Sequence, residues 1–278
     1  MTLYPPIETR TIKRVSPREI ISKEDFLAVE EPLEISILYS DRGERIKKTI
    51  SITMRTPSND EELALGFLFT EGIIRSYKQI QGVTMNVLDQ NKVTVELKAS
   101  EKPHLQTSER NFYTTSSCGV CGKSSIDSIK TTSIFQASED FISVSHDVLF
   151  SLPAKLRSYQ NIFEDTGGLH ASSLFDLKGN FLMLREDVGR HNALDKLIGA
   201  AFQNDGLPLY NTVLLLSGRA SFELIQKAHM AGIQIVAAIG APSSLAAQLA
   251  EECDMTLIGF LGKEKFNIYT GSSRIDEL

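Results

Sequence analysis

The second half of the chain alternates short apolar runs with amphipathic stretches, and this limits the possible folds more than any other feature. From residue 189 the pattern predicts helix 189–202, strand 212–217, helix 221–231, strand 233–239, helix 243–252 and strand 255–261. A strand–helix repeat of this kind buries its apolar strands in an α/β layer with parallel strands. Ahead of it, "SSLFDLKGNFLMLRE" reads as a hairpin turning at "KGN", and residues 146–159 read as a helix. Pro153 should kink or split that helix, because it lacks the N–H that an interior position needs.

The first half has a different grammar. "EISILYS" at 34–40 and "RIKKTISITM" at 45–54 read as two strands joined by the turn "DRG". "SNDEELALGFLFTEGII" reads as a helix, with Asn59 as N-cap, Glu62 completing a capping box and Gly72 ending it. The apolar residues of "ALGFLF" have helical spacing and are expected in the core. "KVTVELK" at 92–98 alternates like a half-buried strand. From Ala99 to Ser117 apolar residues thin out and Ser, Thr and charge take over. The expected division is an N-terminal α+β domain over 1–112, a mobile Cys-x-x-Cys loop and linker over 113–135, and an α/β domain over 136–278.

Net charge is −6, which does not favour nucleic acid, so an anionic ligand would need a local cationic site. No apolar run approaches the roughly 20 residues of a membrane span. "MTLYPPIETRTIKR" lacks the apolar segment of a signal peptide, and three cysteines are too few and odd in number for a secreted disulfide scaffold. A reducing cytoplasm is the expected compartment, and there a Cys-x-x-Cys pair is metal-binding or redox-active more often than structural.

That pair is Cys118 and Cys121 in "TTSSCGVCGKSS". A structural zinc site needs four ligands, commonly a second knuckle or two spaced histidines, and the sequence offers neither. A thioredoxin-like motif would follow a buried strand at a helix start, whereas "NFYTTSS" precedes this one. A persulfide carrier needs an exposed thiol able to meet two partners in turn. Gly119, Gly122 and Lys123 suit that best, through backbone freedom and a charge that favours thiolate. Cys253, alone in an amphipathic helix, reads as a small core residue.

"CGVCG" at 118–122, "ALGFLFTEGII" at 64–74, "EDVGRHNALDK" at 186–196 and "SGRASFELIQKA" at 217–228 occur together in this order. The set closely resembles the formate dehydrogenase accessory sulfurtransferase family, FdhD, from about residue 30 to about residue 270. The resemblance implies a sulfurtransferase that carries persulfide sulfur from a cysteine desulfurase to the molybdenum bis-guanine-dinucleotide cofactor. That cofactor is the bound acceptor and no permanent cofactor or metal is expected. The client is the catalytic subunit of formate dehydrogenase, the carrier residue is Cys118, with Cys121 as its helper or resolving thiol, and the assembly is a homodimer. It also implies a cytidine-deaminase-like fold for the C-terminal domain. The deaminase apparatus is missing, since Ser172 stands where the acid of an H-x-E motif would follow His170, and Ser117 replaces the proline before the cysteines. The other readings are a cofactor-binding chaperone without sulfur transfer and a small zinc-binding deaminase-like protein.

By the same resemblance, the cofactor-binding segment matches Phe260, Leu261, Gly262, Lys263, Glu264 and Lys265. This sequence departs from relatives that carry a proline–glycine pair there. A strand end followed by glycine, two lysines and an aromatic face could serve phosphate and guanine. His170, beside the paired glycines of "TGGLHA" that suit a backbone cradle for anions, and Arg219, at the end of an apolar strand where ligands of open α/β sheets gather, are the other candidates. Asp187, Arg190 and His191 crowd one helix entrance, where capping and a salt bridge compete with a role in the site.

Overall fold

The computed structural model describes residues 5–86, 89–105, 133–135 and 141–276. In chain order these form β1 (Ile7–Val15), β2 (Ile20–Ala28), β3 (Glu31–Asp41), β4 (Glu44–Arg55), α1 (Asp60–Thr70), β5 (Ile80–Met85) and β6 (Lys92–Leu97). Then come β7 (Val144–Ser145), α2 (His146–Tyr159), α3 (Asn161–Thr166), β8 (His170–Asp176), β9 (Phe181–Asp187), α4 (Arg190–Gln203) and β10 (Thr212–Leu216). The chain ends with α5 (Phe222–Met230), β11 (Ile235–Ala238), α6 (Ser244–Glu252), β12 (Thr256–Gly259), β13 (Asn267–Thr270) and β14 (Ile275–Asp276).

The hairpin expected around "DRG" is β3–β4. Its two central residues, Arg42 and Gly43, both have positive φ, the backbone that matches the twist of the strands they join. With β5 and β6 it forms a four-stranded sheet in the order β4-β3-β6-β5. The larger sheet has six strands in the order β13-β12-β11-β10-β8-β9. Its parallel pairings are β10–β11 and β11–β12. The β8–β9 hairpin and β13 add antiparallel strands on either side, so the sheet is mixed rather than parallel. Short connections explain the difference, since a tight turn can return only an antiparallel neighbour.

Alternation along the buried strands sorts their side chains to two cores. Leu214, Leu216, Val236, Ala238 and Leu257 join α1, α4 and the inner face of the four-stranded sheet in one continuous cluster. Val213, Leu215, Ile235, Ala237 and Ile258 face the other way, onto Leu149, Leu152 and Leu156 of α2. The layers are therefore small sheet, helices, large sheet, helix. Pro153 does not break α2, which runs unbroken past it, held down by buried leucines on both sides.

The centre of the molecule is the crossing of α1 and α4. A Cβ added at Gly66 would lie 2.7 Å from the carbonyl carbon of Asp195 and 2.8 Å from the nitrogen of Gly199. One added at Gly199 would lie 2.7 Å from the carbonyl carbon of Glu62. Two glycines thus let the helices meet backbone to backbone. Around this seam, the Lys227 ammonium donates to both carboxylate oxygens of Asp195 at 2.9 Å and to Thr70 Oγ1 at 2.9 Å. Arg55 and Asp60 form a buried two-point pair at 2.9 Å. The expected capping box at α1 does not form. Asn59 takes left-handed backbone (φ 54) and its side chain caps nothing. Glu62 instead accepts from Arg185 Nε at 2.5 Å and Nη2 at 2.8 Å, a charge-assisted fork stronger than a single bond to a backbone amide.

Candidate functional site

Because β8 runs antiparallel to β10, its first residue lies at the carboxyl end of the parallel strands. Ser172 pairs with Leu216 there, and His170 pairs with Asp187 at the end of β9. The loops after β10, β11 and β12 open on the same edge. Helices α4, α5 and α6 all begin there, each turning back along the sheet.

The three helix starts are not finished alike. Ser243 caps α6, its hydroxyl accepting from Ala246 N at 3.2 Å. Gly189, at the α4 cap, has no side chain to offer. Ser221, at the α5 cap, makes no capping bond, and its hydroxyl lies 3.2 Å from His191 Nε2. At neither of these two entrances does the N-cap side chain take up a first-turn amide, and the positive end of a helix dipole favours an anion.

Cationic side chains gather on the same edge. Burial, then the charge of Arg190, and finally that of Arg219 push the His170 imidazole down, against an opposing pull from Asp187. His170 is thus neutral near pH 7 and able both to donate and to accept a hydrogen bond. Its neighbours would repel a metal cation rather than help to ligate one. Gly218 makes room for the ring, since a Cβ there would lie 3.1 Å from Nδ1 of His170. Gly240 does the same for Arg219, with Cγ 3.0 Å from where a Cβ would stand. Arg190 Nε is buried with no hydrogen-bond partner in the structure.

His191 is more deeply enclosed. Burial and the charges of Lys227 and Arg190 push it down to about 3, even though Glu223 Oε2 lies 3.1 Å from its Nε2. That carboxylate also faces Lys227, which draws its charge away from the ring. Asp187 serves the scaffold. Fully buried, it accepts from Gly189 N at 2.8 Å and Thr56 N at 3.2 Å and pairs with Lys196 Nζ at 2.7 Å. Lys196 completes its own set on the carbonyls of Thr56 and Glu186. Burial raises the Asp187 carboxyl, and these donors work against the rise.

The segment 260–265 closes this edge after β12. Phe260 is half exposed, takes left-handed backbone (φ 54) and donates its N–H to Gly240 O at 3.1 Å, the glycine that packs against Arg219. Leu261 points the other way, into the core, and its N–H is taken by Ala238 O. Leu261 is therefore an anchor, with neither side chain nor amide left for a ligand. Gly262 N donates to Lys265 O at 3.0 Å, closing a turn. Lys263, Glu264 and Lys265 are exposed on it.

The structure thus brings together His170, Arg219 and Phe260 with Arg190 and His191, which the sequence left between capping and a role in the site, and adds Ser221. The position of Arg190 and His191 in the first turn of a helix that follows an apolar strand was the available signal. Nothing in the sequence pointed to Ser221. Cys118, Cys121 and the limit of the expected loop at 113 lie outside the described residues, while Phe135, at its other limit, packs against the main core beside Phe69. Cys253 is half-buried at the end of α6 against the main core. No helix among the described residues is long and apolar enough to cross a membrane.

Residues 28–276 match the model of the FdhD/NarQ family. The chain belongs to that family. It is 46% identical over 279 residues to the sulfur carrier protein FdhD of Mycolicibacterium paratuberculosis, covering 96% of this chain and 97% of that one. It is 42% identical over 265 residues to the sulfur carrier protein FdhD of the archaeon Sulfolobus acidocaldarius, covering 95% and 97%. A crystal structure from Desulfotalea psychrophila, described as a formate dehydrogenase accessory protein, superposes with a TM-score of 0.73 at 21% identity. It covers 98% of this chain and 100% of that one, and at that identity the likeness is one of fold. Family membership therefore extends from β3 to β14, across both sheets and the glycine seam.

Proposed function

We propose that this protein is a cytoplasmic sulfurtransferase that carries sulfur from a cysteine desulfurase to the molybdenum bis-guanine-dinucleotide cofactor of a formate dehydrogenase. The observation that carries the reading is kinship along the whole chain with proteins named as sulfur carriers, in a sequence that retains "CGVCG" at 118–122. In the first step the Cys118 thiolate attacks the outer sulfur of the donor persulfide. A new S–S bond forms on Cys118 as the donor cysteine leaves as thiolate. Attack by the Cys121 thiolate on the inner sulfur then forms a Cys118–Cys121 disulfide and releases the outer sulfur as hydrosulfide. Two electrons pass from the thiols to the sulfur, so no outside reductant enters this step. A reductant of the dithiol class restores the pair afterwards.

The acceptor is cargo, and the carboxyl edge of β10–β12 suits it chemically. Arg190, Arg219 and the open starts of α4 and α5 answer phosphate, Phe260 offers a face for guanine, and neutral His170 offers a hydrogen bond. In this reading the large sheet with its helices is the cytidine-deaminase-like unit, the small sheet belongs to the α+β domain, and the working form is a homodimer.

The test is mass spectrometry after incubation with a cysteine desulfurase and cysteine. One added sulfur on Cys118 is expected, absent from Cys118→Ala and retained in Cys253→Ala. An unmodified Cys118 in a protein that still binds the cofactor would favour a chaperone without sulfur transfer.

A further inference from the structure

β1 and β2 form a two-stranded ribbon that joins neither sheet. Nine paired positions, from Ile7 opposite Ala28 to Val15 opposite Ile20, make it about 30 Å long. Its ends are fixed. Val29 N donates to Pro6 O at the base, and Ser16 N to Glu19 O at the tip. A free two-stranded ribbon is marginal in water, yet this one leaves large apolar side chains in solvent. Val15 is 70% exposed and Ile20 67%, facing each other at the tip. Phe26 lies further down the same face, and Ile21 and Leu27 are exposed on the opposite face.

Charge is distributed as unevenly as apolar surface. Arg10 is answered by Glu8 at 3.5 Å and by Asp25 opposite it on β2, whereas the tip half of the ribbon carries Lys13, Arg14 and Arg18 with Glu19 as its acid, on a chain whose net charge is −6. The base of the ribbon meets the rim of the strand-end site. Ala28 Cβ lies 3.6 Å from where a Cβ at Gly168 would stand, two residues before His170. Beside it, α3 packs against β2 and hangs from β9 by two backbone bonds to Glu186. The family match begins at residue 28, where the ribbon ends.

We propose that the β1–β2 ribbon is a docking arm for the client enzyme. It would enter a cleft with an apolar floor and acidic walls on the apo-form of the oxidoreductase, and so bring that enzyme to the His170–Arg219 edge. Apolar groups on both faces, from base to tip, call for a partner that encloses the ribbon. A bilayer would take only the tip. The cations toward the tip, Lys13, Arg14 and Arg18, call for acidic walls there, and attachment at the rim of the cargo site singles out the protein that receives the cargo. The proposal rests on the sulfur-carrier reading.

The experiment uses the full chain against immobilised apo catalytic subunit of formate dehydrogenase and, separately, against the cysteine desulfurase. One variant joins Val15→Ser to Ile20→Ser and another joins Arg14→Glu to Arg18→Glu. All four positions lie on the free ribbon, so the thermal midpoint should stay put. Each variant should bind the apoenzyme at least tenfold more weakly, while desulfurase affinity and persulfide loading of Cys118 match wild type. Added salt should weaken wild type more than the arginine variant. Unchanged apoenzyme affinity, or no apoenzyme binding by wild type, would overturn the proposal. So would loss of desulfurase binding instead, co-sedimentation with phosphatidylglycerol vesicles that the substitutions abolish, or a dimer that they dissociate. A wild-type protein that takes up no persulfide counts against the sulfur-carrier reading, and the apoenzyme arm still decides the ribbon.

Discussion

Replacing Gly66 by alanine tests the seam on which the two sheets meet. In an exposed helix the change would stabilise by about 1 kcal/mol, because glycine is the poorer helix former. Here the new methyl would stand 2.7 Å from the Asp195 carbonyl carbon and 2.8 Å from Gly199 N. Restoring ordinary carbon contact distances of roughly 3.5–4.0 Å requires α1 and α4 to part by about 1 Å, a gap that forfeits a quarter to a half of each dispersion contact along the seam. Separation also stretches the bonds from Asp195 to Thr70 and Lys227, all shorter than 3.0 Å and buried. Overpacking of this kind costs about 1–3 kcal/mol, and strain on a buried charge pair adds to it. We expect a net loss of about 2–4 kcal/mol by urea unfolding, and a midpoint lowered by roughly 5–15 °C, since a chain of this size shifts about 2–4 °C per kcal/mol. Gly82→Ala is the control. A Cβ there meets nothing within 4 Å, and the effect should stay within about 0.5 kcal/mol. If Gly66→Ala were as stable as that control, the backbone-to-backbone crossing would be wrong.

Three further outcomes are expected. Asp187→Asn leaves the Lys196 ammonium buried without its counter-charge and should cost about 3–5 kcal/mol, read by the same unfolding curves; an effect below about 1 kcal/mol would contradict the pairing. His191 has its folded-state value pushed down to about 3 from 6.5, so below pH 6.5 the unfolded chain binds a proton that the folded one refuses. Stability from this group is present at neutral pH and lost as pH falls, by about 1.4 kcal/mol at pH 5.5; His191→Gln should lose less between pH 7.5 and 5.5, and an equal loss would show that the ring is not held neutral. GDP should raise the midpoint of wild type, as any ligand of the native state does. Arg219→Gln, or Lys263→Glu joined with Lys265→Glu, should weaken its binding by calorimetry, by about 2 kcal/mol for the charge reversal if the contacts are charge-assisted; equal affinity would remove that segment from the site.

Much of the scaffold was readable because its elements have one wet and one dry side, or two dry ones. The strands expected at 34–40 and 45–54 lie within β3 and β4, and the expected helix 189–202 is α4 shifted by one residue. "IETRTIKRV" escaped notice because neither face of β1 is buried, so no apolar period marks it. β12 was carried two residues past its end because Leu261 is apolar for a reason unrelated to the strand, as the plug that anchors the following turn. The site was half legible. Arg219 could be placed at a strand end from sequence order alone, and His170 stood out only by the paired glycines before it. The helical Gly66 gave no hint of a partner more than a hundred residues away, and nothing local marked Ser221 as a neighbour of His191. The antiparallel strands of the large sheet depend on which neighbours pair, which local periodicity does not record.

The glycine seam also determines what can be transplanted. The arginine and histidine at the start of α4 look like parts of the large sheet, yet α4 takes its height and tilt from a helix of the other half. A designer who grafted the six-stranded sheet with its helices onto a new partner would keep every candidate ligand-facing residue and lose their alignment. The datum against which they are set lies in residues 60–70. The smallest portable unit that preserves this edge therefore runs from β3 onward, and shortening it from the front should blunt the site before it exposes it.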